Sequence, residues 1–227
     1  MIQHFVGIDI QTARPCSYAV LDASGNTTDA GWLHIEPVEQ AIAELRTLLS
    51  RFGNERVAVG LDAPRHPLPA PRQWYWHGGR WIPRAAHEVG NGRHCEVVIA
   101  AHRLANPQFT PWRSPFPEWM LFGFALFQAL STEFRLHEVF PSASYAMFRN
   151  DAAARMNVRL GDFAPHPKDM LDAHVAAATV REFAQGRGCE VGGGDGLGTI
   201  VLPRPMINPI TQVMHWPTGD VAIAVVP

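Results

Sequence analysis

Lysine is nearly absent from this 227-residue chain, where Lys168 stands beside eighteen arginines. Such an imbalance can come from genomic base composition as readily as from guanidinium chemistry, so arginine richness alone assigns no function. Cysteine is scarce as well. Cys16, Cys95 and Cys189 are odd in number, far apart and without a C-x-x-C pair, which argues against a disulfide framework or a zinc knuckle and fits a reduced cytosol. A charged leader with a long apolar run behind it is missing, and the most apolar helical stretch, 119–130, is too short to span a bilayer. A cytoplasmic protein with no membrane association is therefore expected. Charge of one sign is also lacking. The formal net charge of −2 argues against non-specific nucleic-acid binding by the whole surface, yet leaves room for a local basic patch. The Gly-rich stretch 192–198 has no Lys-Ser or Lys-Thr behind it and so is not a P-loop. No internal repeat is visible.

What is present begins with a carboxylate in an apolar strand. Phe5-Val-Gly-Ile-Asp-Ile10 carries Asp9, and Val57-Ala-Val-Gly-Leu-Asp-Ala-Pro64 carries Asp62, each behind a Gly. A desolvated carboxylate is costly unless paired, hydrogen-bonded or bound to a cation, and two in one sheet repel by about 4 kcal/mol at about 4 Å and an effective dielectric of about 20. The chain between them reads as strand 4–10, strand 17–21, a turn at Asp22-Ala-Ser-Gly25-Asn26, strand 28–35, amphipathic helix 38–52 and strand 57–61. This β-β-β-α-β order returns the chain parallel to its first strand. Asp9 and Asp62 would then face each other at the carboxyl edge of the sheet, where such folds bind ligands.

Residues 63–117 change character. Nine prolines interrupt any long element, a hairpin turns at Gly78-Gly79, and seven Arg stand against Glu88 and Glu96 between residues 63 and 113, a local net charge of +5. The segment reads as an insertion or lid. Trp76 is a candidate for stacking unpaired bases, with Arg80, Arg84 and Arg93 reaching phosphates; the alternative is a satellite hydrophobic cluster beneath a long loop. Helix 118–131 is apolar nearly all round, compatible with a core position or a homodimer interface. A fifth strand, 135–140, carries Glu138. Helix 168–185 carries Asp172 on one face with Val175, Ala176 and Thr179, small enough to permit close packing, and the tail 212–226 reads as a terminal hairpin. Each acid also has a plainer reading: a strand cap for Asp9, an Asx turn for Asp62, a helix-dipole partner for Asp172 or equally Asp169, a salt bridge for Glu138.

Asp9, Asp62, Glu138 and Asp172 form an ordered acidic set of the kind that two-metal hydrolases require from converging elements. The element order with acids at these places resembles the ribonuclease H-like superfamily. Val6-Gly-Ile-Asp9, Gly60-Leu-Asp-Ala-Pro64, Arg93-His-Cys-Glu96, His137-Glu-Val-Phe-Pro141 and Asp169-Met-Leu-Asp-Ala173 are similar to strings of domain-of-unknown-function family 429, predicted ribonuclease H-like nucleases. Phe140, Ser142 and Glu96 depart from that pattern, which has His or Tyr, Glu, and Asp at the matching places. The resemblance implies one ribonuclease H-like domain over residues 1–227, an α/β fold with a mixed five-stranded sheet flanked by helices, an insertion at 63–117 and a C-terminal extension at 203–227. It further implies Mg²⁺ or Mn²⁺ on Asp9, Asp62 and Asp172, Glu138 as ligand or water-positioning group, and phosphodiester hydrolysis with nucleic acid as the partner. Two other classes fit the same sheet: an actin-like or sugar-kinase-like ATP-binding phosphotransferase, and a non-catalytic binding module.

Overall fold

The computed structural model describes residues 1–34, 36–149 and 166–217. Strand β1 (His4–Asp9) pairs antiparallel with β2 (Cys16–Asp22), which pairs antiparallel with β3 (Thr27–Leu33). The β2–β3 turn closes as its residues dictate: the Asn26 N–H donates to Asp22 Oδ1 at 2.8 Å, and Gly25 takes φ +90°. Helix α1 (Val38–Ser50) buries Ala41, Leu45, Leu48 and Leu49, the stripe its spacing demands, and the chain turns at Gly53 with φ +79°. Strand β4 (Val57–Asp62) then lies parallel to β1. The β-β-β-α-β order is thus observed.

After β4 comes a separate hairpin, β5 (Trp74–His77) and β6 (Arg80–Pro83), followed by helix α2 (His94–Ala101) and helix α3 (Glu118–Leu130). Strand β7 (Arg135–Val139) pairs parallel with β4 and ends where Pro141 opens helix α4 (Pro141–Phe148), a position that needs no N–H. Helix α5 (Pro167–Ala184) follows, and then strands β8 (Cys189–Gly192) and β9 (Thr199–Leu202).

The sheet has seven strands in the order β3-β2-β1-β4-β7-β9-β8, two more than expected. The additional pair forms a four-residue hairpin across the Gly-rich turn, with β9 parallel to β7. Runs so short show too little alternation to declare themselves. The expected terminal hairpin is corrected at its start, where Thr211–Met214 forms a helical turn, α6, because Val213 is drawn into the core; residues from 218 on lie outside the described residues. Helix α3 is a core helix: Met120, Phe122, Leu126, Phe127 and Leu130 are buried. No helix among the described residues is long and apolar enough to cross a membrane.

The two sheet faces differ. Val6, Ile8, Val59 and Leu61 pack with α1 and α3, while Phe5 and Ala58 pack with Ala176, Ala177 and Val180 of α5. Between the latter pair and the two acids stand Gly7 and Gly60, opposite each other in the β1–β4 register. A Cβ on Gly7 would lie 2.0 Å from the Ala173 carbonyl oxygen and 2.3 Å from the Ala177 nitrogen. On Gly60 it would meet Val180 Cγ2 at 2.7 Å and the Ala176 carbonyl oxygen at 3.0 Å. Helix α5 rests directly on the strand backbones.

Gly7→Ala should therefore cost about 3 kcal/mol or more, because the added methyl strikes helix backbone, and Gly60→Ala should cost less, because a side chain can yield. Urea denaturation of both variants measures this, and a reversed order would contradict the packing described.

Candidate functional site

Asp9 closes β1 and Asp62 closes β4, and the two are partners in the parallel register. Strand alternation places both on the face that α5 covers, in line with Gly7 and Gly60. Asp172 precedes Ala173, the residue whose carbonyl sits over Gly7. The glycine contact thus delivers the helix acid to the same end of the sheet. Asp9, Asp62 and Asp172 all line one open cavity of about 400 Å³, together with Glu138.

Burial sets the electrostatics. Asp9 is 3 % exposed, and desolvation above all pushes its carboxyl up to about 7. A 2.8 Å hydrogen bond donated by Gln11 Nε2 opposes the shift, while Asp172 and Asp169 add to it and Lys168 reduces it. Asp62 opens partly to the cavity but is otherwise enclosed by protein. Its carboxyl is raised well above the ordinary value by burial, then by Asp9 and Asp172, with Lys168 giving relief. Asp172 is already engaged: Oδ1 accepts the Tyr145 hydroxyl at 2.7 Å and Oδ2 accepts Lys168 Nζ at 2.5 Å. Partial burial opposes the Lys168 charge, but Asp172, Asp9 and Asp62 hold its ammonium above the usual value.

Two other acids separate from this group. Asp169 takes both prongs of Arg14, at 2.5 and 2.8 Å, and does not line the cavity. Glu138 reaches the cavity with both oxygens occupied: Arg93 donates to each, and the Arg65 N–H adds a 2.9 Å bond. Arg93 is itself buried and donates to Glu96 at 2.8 and 3.0 Å. Glu96 in turn accepts the Thr110 N–H at 2.9 Å and its hydroxyl at 2.5 Å. Glu138 belongs to a closed ion network, and Arg93 spends its donors inside the protein. Among the described residues no three His, Cys, Asp or Glu side chains form a group that could hold a metal ion. Asp172, the third expected ligand, is turned to Lys168 and Tyr145.

Trp76, Arg80 and Arg84 lie outside the cavity lining. Trp76 stacks edge-on against Trp81 at 5.4 Å, and Trp81 meets His94 and Trp216. The tryptophan hairpin is thus a satellite aromatic cluster, further tied by Trp81 Nε1 donating to the Gln212 carbonyl. Arg84 donates to the Glu88 carbonyl, and Arg80 is exposed. The cavity also contains residues that sequence reasoning passed over: Gln11, Asn106, Gln108, Trp119 and Lys168. Lys168 was discoverable, being four residues before Asp172 on one helix face. Tyr145 left no local signal.

The raised Asp9 carboxyl has a stability consequence. Its folded value of about 7 exceeds the ordinary 3.8, so its contribution is fully present below about pH 4 and is lost as pH rises through about 7, a loss of up to about 4 kcal/mol. In chelator, Asp9→Asn should be more stable than the parent at pH 8, and the gap should close towards pH 4. Urea titrations at several pH values read this directly; a gap independent of pH would contradict the burial of an ionisable Asp9.

Against protein-family models, curated proteins and solved structures the chain has no match, so its functional reading rests on the residues and geometry above.

Proposed function

We propose that the cavity hydrolyses phosphodiester bonds of nucleic acid with the help of a divalent cation, on a ribonuclease H-like arrangement of acids. The observation that carries this reading is the Asp9–Asp62 register pair: two desolvated carboxylates held together at the open end of adjacent parallel strands. Such a pair is unfavourable without a cation and favourable with one.

The donor set fits a hard ion. Mg²⁺ is commonly bound by one or two carboxylates, with its remaining positions filled by water and substrate phosphate oxygens, so Asp9 and Asp62 suffice as anchors. Mg²⁺ or Mn²⁺ there would polarise a phosphoryl oxygen and make water a stronger nucleophile at neutral pH. The rest falls to the chain. Asp9, fixed by Gln11, and Asp62 supply the negative charge that attracts the cation. Lys168 presently offsets that charge through Asp172, and its side chain is 77 % exposed. An ion pair with so exposed a partner is weak and can be exchanged, which would free Asp172 as a third oxygen donor. Glu138 holds Arg93 and takes no part in the chemistry.

The test is cleavage of labelled single-stranded and duplex DNA and RNA with Mg²⁺, Mn²⁺ or chelator. Cleavage should require the cation and should fall at least about 100-fold in Asp9→Asn and in Asp62→Asn. Lys168→Ala should lower the Mn²⁺ concentration needed for half-maximal rate, because it removes a competing positive charge. Cleavage that survives Asp9→Asn, or that proceeds in chelator, would reject the proposal; ATP binding with no cleavage would favour the phosphotransferase alternative.

A further inference from the structure

The acids occupy only part of the cavity, and the rest of its lining is chemically different. The 63–117 segment contributes Asn106 and Gln108, and the first turn of α3 contributes Trp119. Asn106 and Gln108 are exposed, and neither carboxamide hydrogen-bonds to another described residue. They offer donors and acceptors to whatever enters.

This wall is held firmly. Thr110 is fully buried and is fastened to Glu96, while its carbonyl accepts the Gly92 N–H at 2.8 Å. On the other side, Gly123 of α3 lies so close to Ala63 that a Cβ on it would fall 2.4 Å from the Ala63 Cβ. Trp119 stands one helical turn before Gly123, and Ala63 follows Asp62. The indole lines the same cavity as the acid pair, and part of it rests on the core.

Three chemistries thus meet in one space: a cation-attracting acid pair, an aromatic surface and two unpartnered carboxamides. Carboxamides pair with base edges through matched donor and acceptor sites. Aromatic rings stack on any base. A volume of about 400 Å³ sits at the low end of small-molecule sites and has room for one nucleotide. We infer that the cavity receives a single unpaired nucleotide, its phosphate towards Asp9 and Asp62 and its base against Trp119, with the base edge offered to Asn106 and Gln108. The placement of the phosphate rests on the phosphodiesterase reading; the recognition of the base rests on the wall.

Calorimetric titration tests this with AMP, GMP, CMP, UMP and ribose 5-phosphate, each in the presence of Mn²⁺. At least one nucleotide should bind about tenfold or more tighter than ribose 5-phosphate, the increment expected of one stacked base. Trp119→Ala should bring the nucleotides down to the sugar phosphate, and Trp119→Phe, which keeps a ring and the packing, should retain most of the difference. The double variant Asn106→Ala with Gln108→Ala, at exposed positions, should level the four bases against each other. Equal binding of nucleotides and ribose 5-phosphate to the unaltered protein would overturn the inference, as would base preference untouched in the double variant. Asp9→Asn should weaken all five ligands alike. Base-dependent binding with no strand cleavage would sink the phosphodiesterase reading while leaving the base site standing, so the two failures are distinguishable.

Discussion

Gly7 and Gly60 lie side by side on adjacent parallel strands, and the backbone of α5 occupies the space their missing side chains leave. Any larger residue at Gly7 would collide with helix backbone, so the helix can approach this closely only along this strip. Ala173, Ala176 and Ala177 complete the fit from the other side. The strip runs straight into Asp9 and Asp62, two residues further along each strand. Close packing and the acid site are therefore one construction: the contact that seats α5 also brings Asp172 to the strand ends.

That construction has an electrostatic consequence. Water is driven from Asp9 by the same helix that anchors the fold, which pushes its carboxyl to about 7. Neighbouring carboxylates raise Asp62 further. The protein answers with small local measures: an amide from Gln11, a hydroxyl from Tyr145 and the ammonium of Lys168. None of these neutralises the Asp9–Asp62 pair. Local conflict of this kind, inside a sheet whose inward positions are mostly apolar, is where function is to be sought. A scaffold that needed only stability would carry Val or Ile at both strand ends.

How much of this was legible depends on the range of the interactions. The Asp9–Asp62 pair could be read from the chain because strand periodicity, a helical return and a Gly two residues before each acid are local signals. The small face of α5 could be read likewise, and it selected Asp172. What could not be read was the partner of Asp169: Arg14 lies 155 positions away, and no local pattern reveals such a pairing. The same holds for Tyr145 on Asp172. Strands β8 and β9 escaped because four residues on each side of a glycine turn are ordered by the pairing of β9 with β7 and of β8 with β9, and not by any periodicity of their own. The aromatic hairpin left two readings open because Trp, Tyr and Arg suit both nucleic acid and a packed cluster. Its contacts with His94 and Trp216 come from distant chain and decide in favour of packing.

Glu138 shows why an acid at a strand end is ambiguous in sequence. It lies one register step from Asp62, opposite Leu61, and a reading by position alone makes it a ligand. Arg93 changes its role. A buried ion network of this sort adds little net stability, since desolvating its charges offsets most of their attraction, but removing one partner leaves the others stranded. What the network supplies is geometry. The guanidinium fork fixes Glu138 and Glu96 in one arrangement, as a lysine could not, and Glu96 then holds Thr110 and with it the segment bearing Asn106 and Gln108. The acid on β7 thus serves the cavity through what it positions, joining the sheet that carries Asp9 and Asp62 to the 63–117 segment that forms another part of the wall.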